Sequence, residues 1–453
     1  MRINTDPEFS ESIGDIKNLI EHENQGALLN ILIDVHPADI AFILSQLKKD
    51  NRKYLFTLLP TELASSVLTE LDTPVVEHLL EDVSETEISN LIDEMDSDDA
   101  ADIISDLPEE VASRVLDQVA DEVSEDVKEL LLYKEDTAGG IMALEFVAVN
   151  ENATVNETIE VIREAKEEIE NIHAIWVISN ENTLVGSVSL TELVLANGRT
   201  KISTIKESDF KHVNTDMDQE EVAIIFRKYD LVALPVVDNF NKLVGQITID
   251  DIIDVLDEEV SEDISLLAGA NDEELLEESF LKISWVRLPW LVVAFIGQII
   301  AALVIKSFQG TLEEIIALTF FIPVIMAMGG NSGIQSSVII IRGLATGEIS
   351  LDSSKRRFFR ELRVSLFIGI IFGVFMALVV GLWLSHYMLG LMIGLALNLV
   401  ILQATLFGGT IPFILKKVNI DPALASGPFI TTFNDILGLL IYLAIITASK
   451  PLL

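Results

Sequence analysis

Residues 423–448 read ALASGPFITTFNDILGLLIYLAIITA. About 20 apolar residues suffice to cross a bilayer as a helix, so this stretch reads as a membrane span. It holds one carboxylate, Asp435, near its middle, and no Lys or Arg. An ionised group at that depth is expensive in lipid and usually marks an ion path. Thr431 and Thr432 stand four and three residues before it, and Gly427 and Pro428 about two turns before. Helical spacing puts these small and polar groups on one face, which could line an aqueous cavity. The alternative is a protonated Asp that hydrogen-bonds a neighbouring helix.

Four further apolar stretches precede it: Leu288–Ile305, Leu312–Ile341, Val364–Leu384 and Leu391–Leu415. None carries a Lys or Arg at comparable depth, so no buried ion pair is offered to Asp435. The second stretch contains Gly329-Gly330-Asn331-Ser332-Gly333 and reads as a discontinuous helix. Such a break is tolerated only where it is buried in protein or lines a cavity. Of the 24 glycines, 16 fall in residues 281–453. Helix packing by small residues accounts for most of them. The clusters Gly329–Gly333 and Gly408-Gly409 leave open a role at a pore or hinge. Asn398 and Gln403 in the fourth stretch read as interhelical hydrogen-bonding groups. Arg342, Lys355, Arg356, Arg357, Arg360 and Arg363 lie between the second and third stretches, and Lys416 and Lys417 follow the fourth. Positive connectors stay inside, which predicts a cytoplasmic N-terminus, five crossings and an external C-terminus.

The charge of the chain is divided in the same way. The 453 residues hold 72 acidic and 30 basic side chains, a net of −42. Residues 1–280 hold 65 acidic and 18 basic groups, a net of −47; the remainder holds 7 and 12, a net of +5. An acidic cytoplasmic region is thus joined to a membrane region. A surface at −47 repels nucleic acid. With no Cys, disulfides, thiolate zinc sites and cysteine nucleophiles are excluded. The first residues are polar and acidic, unlike a secretory signal. No nucleophile–base pair, Walker motif or transition-metal cluster appears, so an enzyme is not expected.

Residues 15–130 alternate short amphipathic helices with turns. His36–Leu44, Thr61–Leu68, Asp98–Ile104 and Pro108–Leu116 each pair a cap-like start with an apolar i, i+3, i+4 stripe. A superhelical stack follows, each helix burying its stripe on a neighbour. From Thr137 to Leu256 the pattern becomes β-α-β-β-α, twice over. Asn150–Arg163 aligns with Asn214–Arg227 at an offset of 64, and Ile175–Ser189 with Leu234–Thr248 at 59. This duplicated unit resembles a pair of CBS domains. Gly245, Thr248 and Asp251 look like that family's ribose-contacting segment, where the first copy has Gly186, Ser189 and Glu192. Two readings stay open: an adenine nucleotide (ATP) site at Thr248 and Asp251, or a plain strand-to-helix connection. The acidic stretch Asp257–Leu281 reads as a continuous helix able to transmit movement.

Carboxylates crowd at Asp93–Asp106 and Asp250–Asp263. Asp98 and Asp102 share a helix face. Two like charges about 4 Å apart repel by roughly 4 kcal/mol at an effective dielectric near 20. Divalent cations relieve such repulsion and favour a compact arrangement. A solvated acidic face is the alternative.

Taken in order, these features resemble the MgtE family of magnesium channels. The most specific stretches are Phe321-Ile322-Pro323 with Gly329–Ser337, and Asp421-Pro422-Ala423 through Asp435. The fold expected is multidomain. An all-α superhelical N domain (1–134) precedes α/β tandem CBS domains (135–256, divided at 200/201). A connecting helix (257–284) leads to a five-helix α-helical transmembrane domain (285–453). The resemblance implies a Mg2+-selective channel in the inner (plasma) membrane, a homodimer with lipid around it and the pore on the two-fold axis between spans two and five. It implies Asp435 as the pore residue and closure by cytosolic Mg2+ bridging the N and CBS domains. The regulatory carboxylates implied are Asp98, Asp102, Asp251, Asp254, Glu259, Glu262 and Asp263, with Asp218, Glu220 and Asp230 as weaker carry-overs. One departure is Gly427, where some relatives carry Asn. Two rivals remain: a coupled secondary transporter whose broken second span moves, and a receptor whose membrane part only anchors a nucleotide sensor. An anchor needs neither Asp435 nor a broken span.

Overall fold

A computed structural model describes residues 16–452 apart from 17, 21, 23, 82, 167–168, 170, 269–279, 347, 350–353, 419 and 426. It divides into two compact units, Met1–Leu256 and Asp257–Leu453.

The first unit opens with a stack of short helices: α1 (Gln25–Leu32), α2 (Pro37–Ser45), α3 (Lys49–Phe56), α4 (Thr61–Leu68), α5 (Thr73–Leu80), α6 (Glu85–Ile92), α7 (Ser97–Asp106), α8 (Glu109–Leu116) and α9 (Asp121–Leu130). Helices of eight to ten residues are too short to persist alone in water, so packing must hold them. Each rests on the next but one: α2 on α4, α4 on α6, α6 on α8, and likewise α3, α5, α7 and α9. Local signals set their starts. Pro37 occupies the first turn of α2, and Ser84 with Glu87 forms a reciprocal capping box on α6. The four helices read from sequence in this region are all present.

Two β-α-β-β-α units follow. In the first, β1 (Ala148–Asn150) pairs parallel with β2 (Ile175–Ile178), which pairs antiparallel with β3 (Leu184–Val188); α10 (Val155–Ala165) and α11 (Leu190–Leu195) complete it. A short α12 (Ile202–Ile205) leads to the second. There β4 (Val213–Asn214) pairs with β5 (Ala233–Val237) and β5 with β6 (Leu243–Thr248), flanked by α13 (Gln219–Tyr229) and α14 (Ile249–Ala268). The copies share a turn device. Asn182 and Asn241, 59 residues apart, both adopt left-handed backbone (φ 61° and 60°) in their β-hairpins, a conformation Asn tolerates better than most. The helical stack shares one core with the second copy, joining Ile40, Leu79 and Ile104 to Val222, Phe226 and Ile247. Residues 257–268 continue α14, 269–279 of the expected connecting helix lie outside the described residues, and 280–284 belong to the first apolar helix, which starts at Phe280.

The second unit holds five helices long and apolar enough to cross a membrane. The spans are built on α15 (Phe280–Ser307), α17 (Ile322–Ala345), α18 (Ser354–Leu384), α19 (Tyr387–Lys417) and α20 (Gly427–Ser449), with a short α16 (Gln309–Glu314) after the first. Spans three and four form a tight hairpin because small residues face each other. A Cβ on Gly390 would stand 2.5 Å from the Ala377 carbonyl oxygen, and one on Gly373 2.7 Å from that of Gly394. A buried polar cluster adds to the packing: Ser336 of α17 donates to Glu361 of α18 at 3.1 Å, and Arg357 stands one turn before it at 3.6 Å.

The second span corrects one expectation. Gly329–Gly333 does not break it, for α17 runs through the cluster as one helix. The glycines serve close approach instead. Gly329 lies against Val400, Gly333 against Ile430 and Asn434, and Gly408 of α19 against the Gly333 carbonyl. Backbone hydrogen bonds within a helix satisfy themselves, so glycine costs little in lipid and lets neighbours come near. The irregular part lies earlier, in a 3-10 segment at Ile316–Phe321 ahead of Pro323. There the Leu318 carbonyl accepts from the buried Tyr442 hydroxyl at 3.0 Å.

Candidate functional site

In the membrane unit the candidate site is the middle of α20. Asn434 and Asp435 are consecutive and therefore face different ways. Asn434 is buried; its Oδ1 accepts from Gln403 Nε2 of α19 at 3.2 Å, and Gly333 of α17 makes room for it. Gln403 is thus the interhelical hydrogen-bonding group expected. Asp435 is half-buried on the adjoining face, with Thr431 and Thr432 one turn earlier. Thr431 donates to the Gly427 carbonyl at 3.2 Å, so the residue at the departing position contributes backbone oxygen only. One oxygen of Asp435, Oδ2, accepts from Gln298 Nε2 of α15 at 2.7 Å. Sequence reading passed over Gln298. Its signal was available: it is the one polar side chain in Leu288–Ile305. Among the described residues no Lys or Arg pairs with Asp435.

In the first unit the carboxylates come together where α7 meets the start of α14. Asp98, Asp99 and Asp251 crowd one another, and Asp254 and Asp102 add to the field on Asp99. Burial raises the Asp98 carboxyl well above its ordinary range, and the Asp251 and Asp99 charges raise it further. Asp99 is pushed up to about 7, first by burial and then by Asp251 and Asp96. Asp251 is also raised by burial, though hydrogen bonds from Thr248 oppose this. Asp102 stands exposed at the edge of the cluster. Asp96 and Asp99 lie in the acidic run Asp93–Asp106 but not on the i, i+4 pair Asp98/Asp102; docking against α14 engages them together with Asp98. The stack is anchored here by Ser97, which donates to Glu145 Oε2 at 2.7 Å and accepts from the Leu144 amide at 2.9 Å.

Thr248 and Asp251 form a helix cap. The Thr248 amide and hydroxyl donate to Asp251 Oδ2 at 2.9 and 2.7 Å, and the hydroxyl also meets Asp250. Asp218 and Asp230 sit at opposite ends of α13. Asp218 is its N-cap and accepts from the Glu220 amide; Asp230 ends it in left-handed backbone (φ 52°). A helix of eleven residues keeps those ends roughly 16 Å apart, so this chain does not bring them together. On α14, Asp251, Asp254 and Glu262 fall on one stripe, with Glu259 and Asp263 about 80–120° round the helix. Among the described residues no three acidic or His side chains form a ready metal-ligand set.

The crowded carboxylates nevertheless suit a hard divalent cation. They are oxygen donors, they repel one another, and Mg2+ keeps most of its waters and is held through one or two carboxylates.

A family model described as a divalent cation transporter matches residues 322–445, one described as the MgtE intracellular N domain matches 35–136, and CBS-domain models match 138–198 and 202–258. A magnesium transporter MgtE of Thermus thermophilus is 34% identical over 435 residues, covering 95% of this chain and 96% of that protein. The chain belongs to the MgtE family of magnesium transporters. An MgtE of Bacillus subtilis is 35% identical over 72% of each chain. Among solved structures, the cytosolic domain of the Mg2+ channel MgtE in complex with ATP matches with a TM-score of 0.51 and 33% identity, covering 54% of this chain and 99% of that one. The soluble part of a magnesium transporter matches at 0.50 and 28%, over 55% and 99%. The expected architecture of helical N domain, CBS pair and five apolar spans is therefore that of an MgtE protein.

Proposed function

We propose that this MgtE protein is a Mg2+-selective channel that imports magnesium and is closed when cytosolic Mg2+ binds its acidic N and CBS domains. The observation that carries the permeation half is Asp435. It is a half-buried carboxylate in the middle of an apolar helix, held by a neutral amide and by no cation among the described residues. A carboxylate there must meet water or a cation rather than lipid. A second copy facing it across a two-fold axis supplies the cover and doubles the carboxylate, which favours a homodimer surrounded by lipid. The connector charges favour cytoplasmic acidic domains, an external C-terminus and residence in the inner (plasma) membrane.

The gating half rests on the Asp98–Asp99–Asp251 cluster. Without a cation its charges oppose the approach of α7 and α14; with Mg2+ the same carboxylates hold them together. Asp102 and Asp254 at its margin, and Glu259, Glu262 and Asp263 further along α14, extend the acidic face. At the ends of α13, Asp218 and Glu220 lie together at its start and Asp230 at its far end, so the three do not form one site within this chain. An ATP site at Thr248 and Asp251 is supported by the nucleotide complex of the related cytosolic domain. Their capping bonds already engage them, so ATP meets this corner of the second CBS unit as a preformed turn. The coupled-transporter reading was motivated by a broken second span; the continuity of α17 takes away that support, and single-channel currents without a proton or Na+ requirement would separate the two readings.

The test is Asp435→Asn. Mg2+ uptake into vesicles should be lost while expression and oligomeric state stay intact; retained uptake would remove Asp435 from the path.

A further inference from the structure

The first span touches the candidate ion site. Spans one and five pack side by side in the same direction: Trp290 meets Phe429 edge-on with ring centroids 5.9 Å apart, and just beyond span one Thr311 of α16 meets Thr447 at 3.0 Å. Between these contacts Gly297 lies so close to Thr432 that a Cβ would overlap its methyl group. That approach brings the next residue, Gln298, to Asp435.

We propose that Gln298 is a positioning and selectivity residue for ion passage, making the first span part of the permeation machinery. This rests on Asp435 being the pore residue. An ionised carboxylate only accepts hydrogen bonds, so the amide nitrogen faces it and the amide oxygen turns away. Three consequences follow from the geometry. The bond at 2.7 Å holds the carboxylate in one rotamer. A neutral donor leaves its negative charge undiminished, where a Lys would cancel it. The amide oxygen, on the far side of the same group, is a further acceptor within one side chain of Asp435.

A hydrated Mg2+ presents an outer surface made entirely of water O–H donors, because Mg2+ gives up its waters reluctantly. A fixed carboxylate with an amide oxygen one group away offers acceptors to that surface. Ca2+ has a looser, larger shell and gains less from fixed outer acceptors.

The experiment compares Q298L, Q298E and D435N in the full-length protein, purified, checked for oligomeric state and reconstituted into vesicles. Q298L keeps the bulk of the side chain and removes both hydrogen-bonding atoms. It should lower Mg2+ flux about tenfold, as expected for a lost bond to a charged group, and reduce the ratio of Mg2+ to Ca2+ flux. Q298E should be impaired at pH 8, where a second carboxylate repels the first, and recover as the pH falls towards 6, where a protonated Glu donates as Gln does. A purely structural role would move neither the ion ratio nor the pH profile. Wild-type flux and selectivity in Q298L would overturn the inference. Should Q298L not assemble, a flat pH profile in Q298E would overturn it alone. D435N separates the two readings. Uptake lost in D435N and unchanged in Q298L removes only the role of Gln298; uptake retained in D435N removes the pore reading as well.

Discussion

Asp98, Asp99 and Asp251 are carboxyls that folding makes harder to ionise. Desolvation disfavours the charged form, and each neighbouring charge disfavours it again. The linkage has a definite sign. A group with a raised folded pKa binds more protons in the folded than in the unfolded chain, so stability falls as pH rises through that window. The window runs from the ordinary carboxylate range to about 7, the value reached by Asp99. Without divalent cations, the melting temperature of the first unit should therefore drop as pH is raised from about 5 to about 8. Saturating Mg2+ should flatten the curve, because a bound cation favours the ionised form. Asp99→Asn should flatten it without Mg2+. Melting followed by circular dichroism on the full chain checks this, and a transition that rises with pH over this range would contradict it.

At the scale of elements, the second span shows how one feature of sequence admits two structures. Gly329–Gly333 has the composition of a break, yet a break frees backbone groups that lipid cannot satisfy. The continuous helix wins because spans four and five supply a surface that only glycine can meet. Gly408 faces the Gly333 backbone carbonyl, which cannot swing aside as a side chain can. Gly408→Ala should push α17 and α19 apart, costing about 1–3 kcal/mol as an overpacked core does. Gly310→Ala, with nothing within 4 Å of the added methyl, is the neutral control. Thermal unfolding in detergent decides it; equal melting of the two variants would mean that the helices part freely. The soluble elements were easier to read. Helix-start residues and apolar stripes act within one or two turns, so α2, α4, α7 and α8 are legible in the sequence before their partners are known.

For the molecule as a whole, the net charge of −47 on residues 1–280 is the dominant fact. It opposes compaction of that region, and the opposition is partly screened by salt. Specific binding and screening make different predictions. Raising Mg2+ from micromolar to about ten millimolar should protect residues 130–281 from protease, since ligands that bind the compact form reduce its opening. NaCl at matched ionic strength should protect much less. Equal protection by both salts would reduce the sensor to bulk screening.

The sequence alone determined the spans, the division of charge, the duplicated β-α-β-β-α unit and the placing of Asp435 within an apolar helix. Each depends on composition or short-range periodicity, which a linear string records in full. Only the tertiary structure decided which carboxylates meet. Asp99 joins Asp98 and Asp251 because α7 docks beside α14, while Asp218 and Asp230, twelve residues apart in sequence, are kept apart by the helix between them. Only the tertiary structure brought Gln298 to Asp435, across 137 residues of chain. Contacts between elements are set by which small residues let two backbones approach, and that depends on both helices at once.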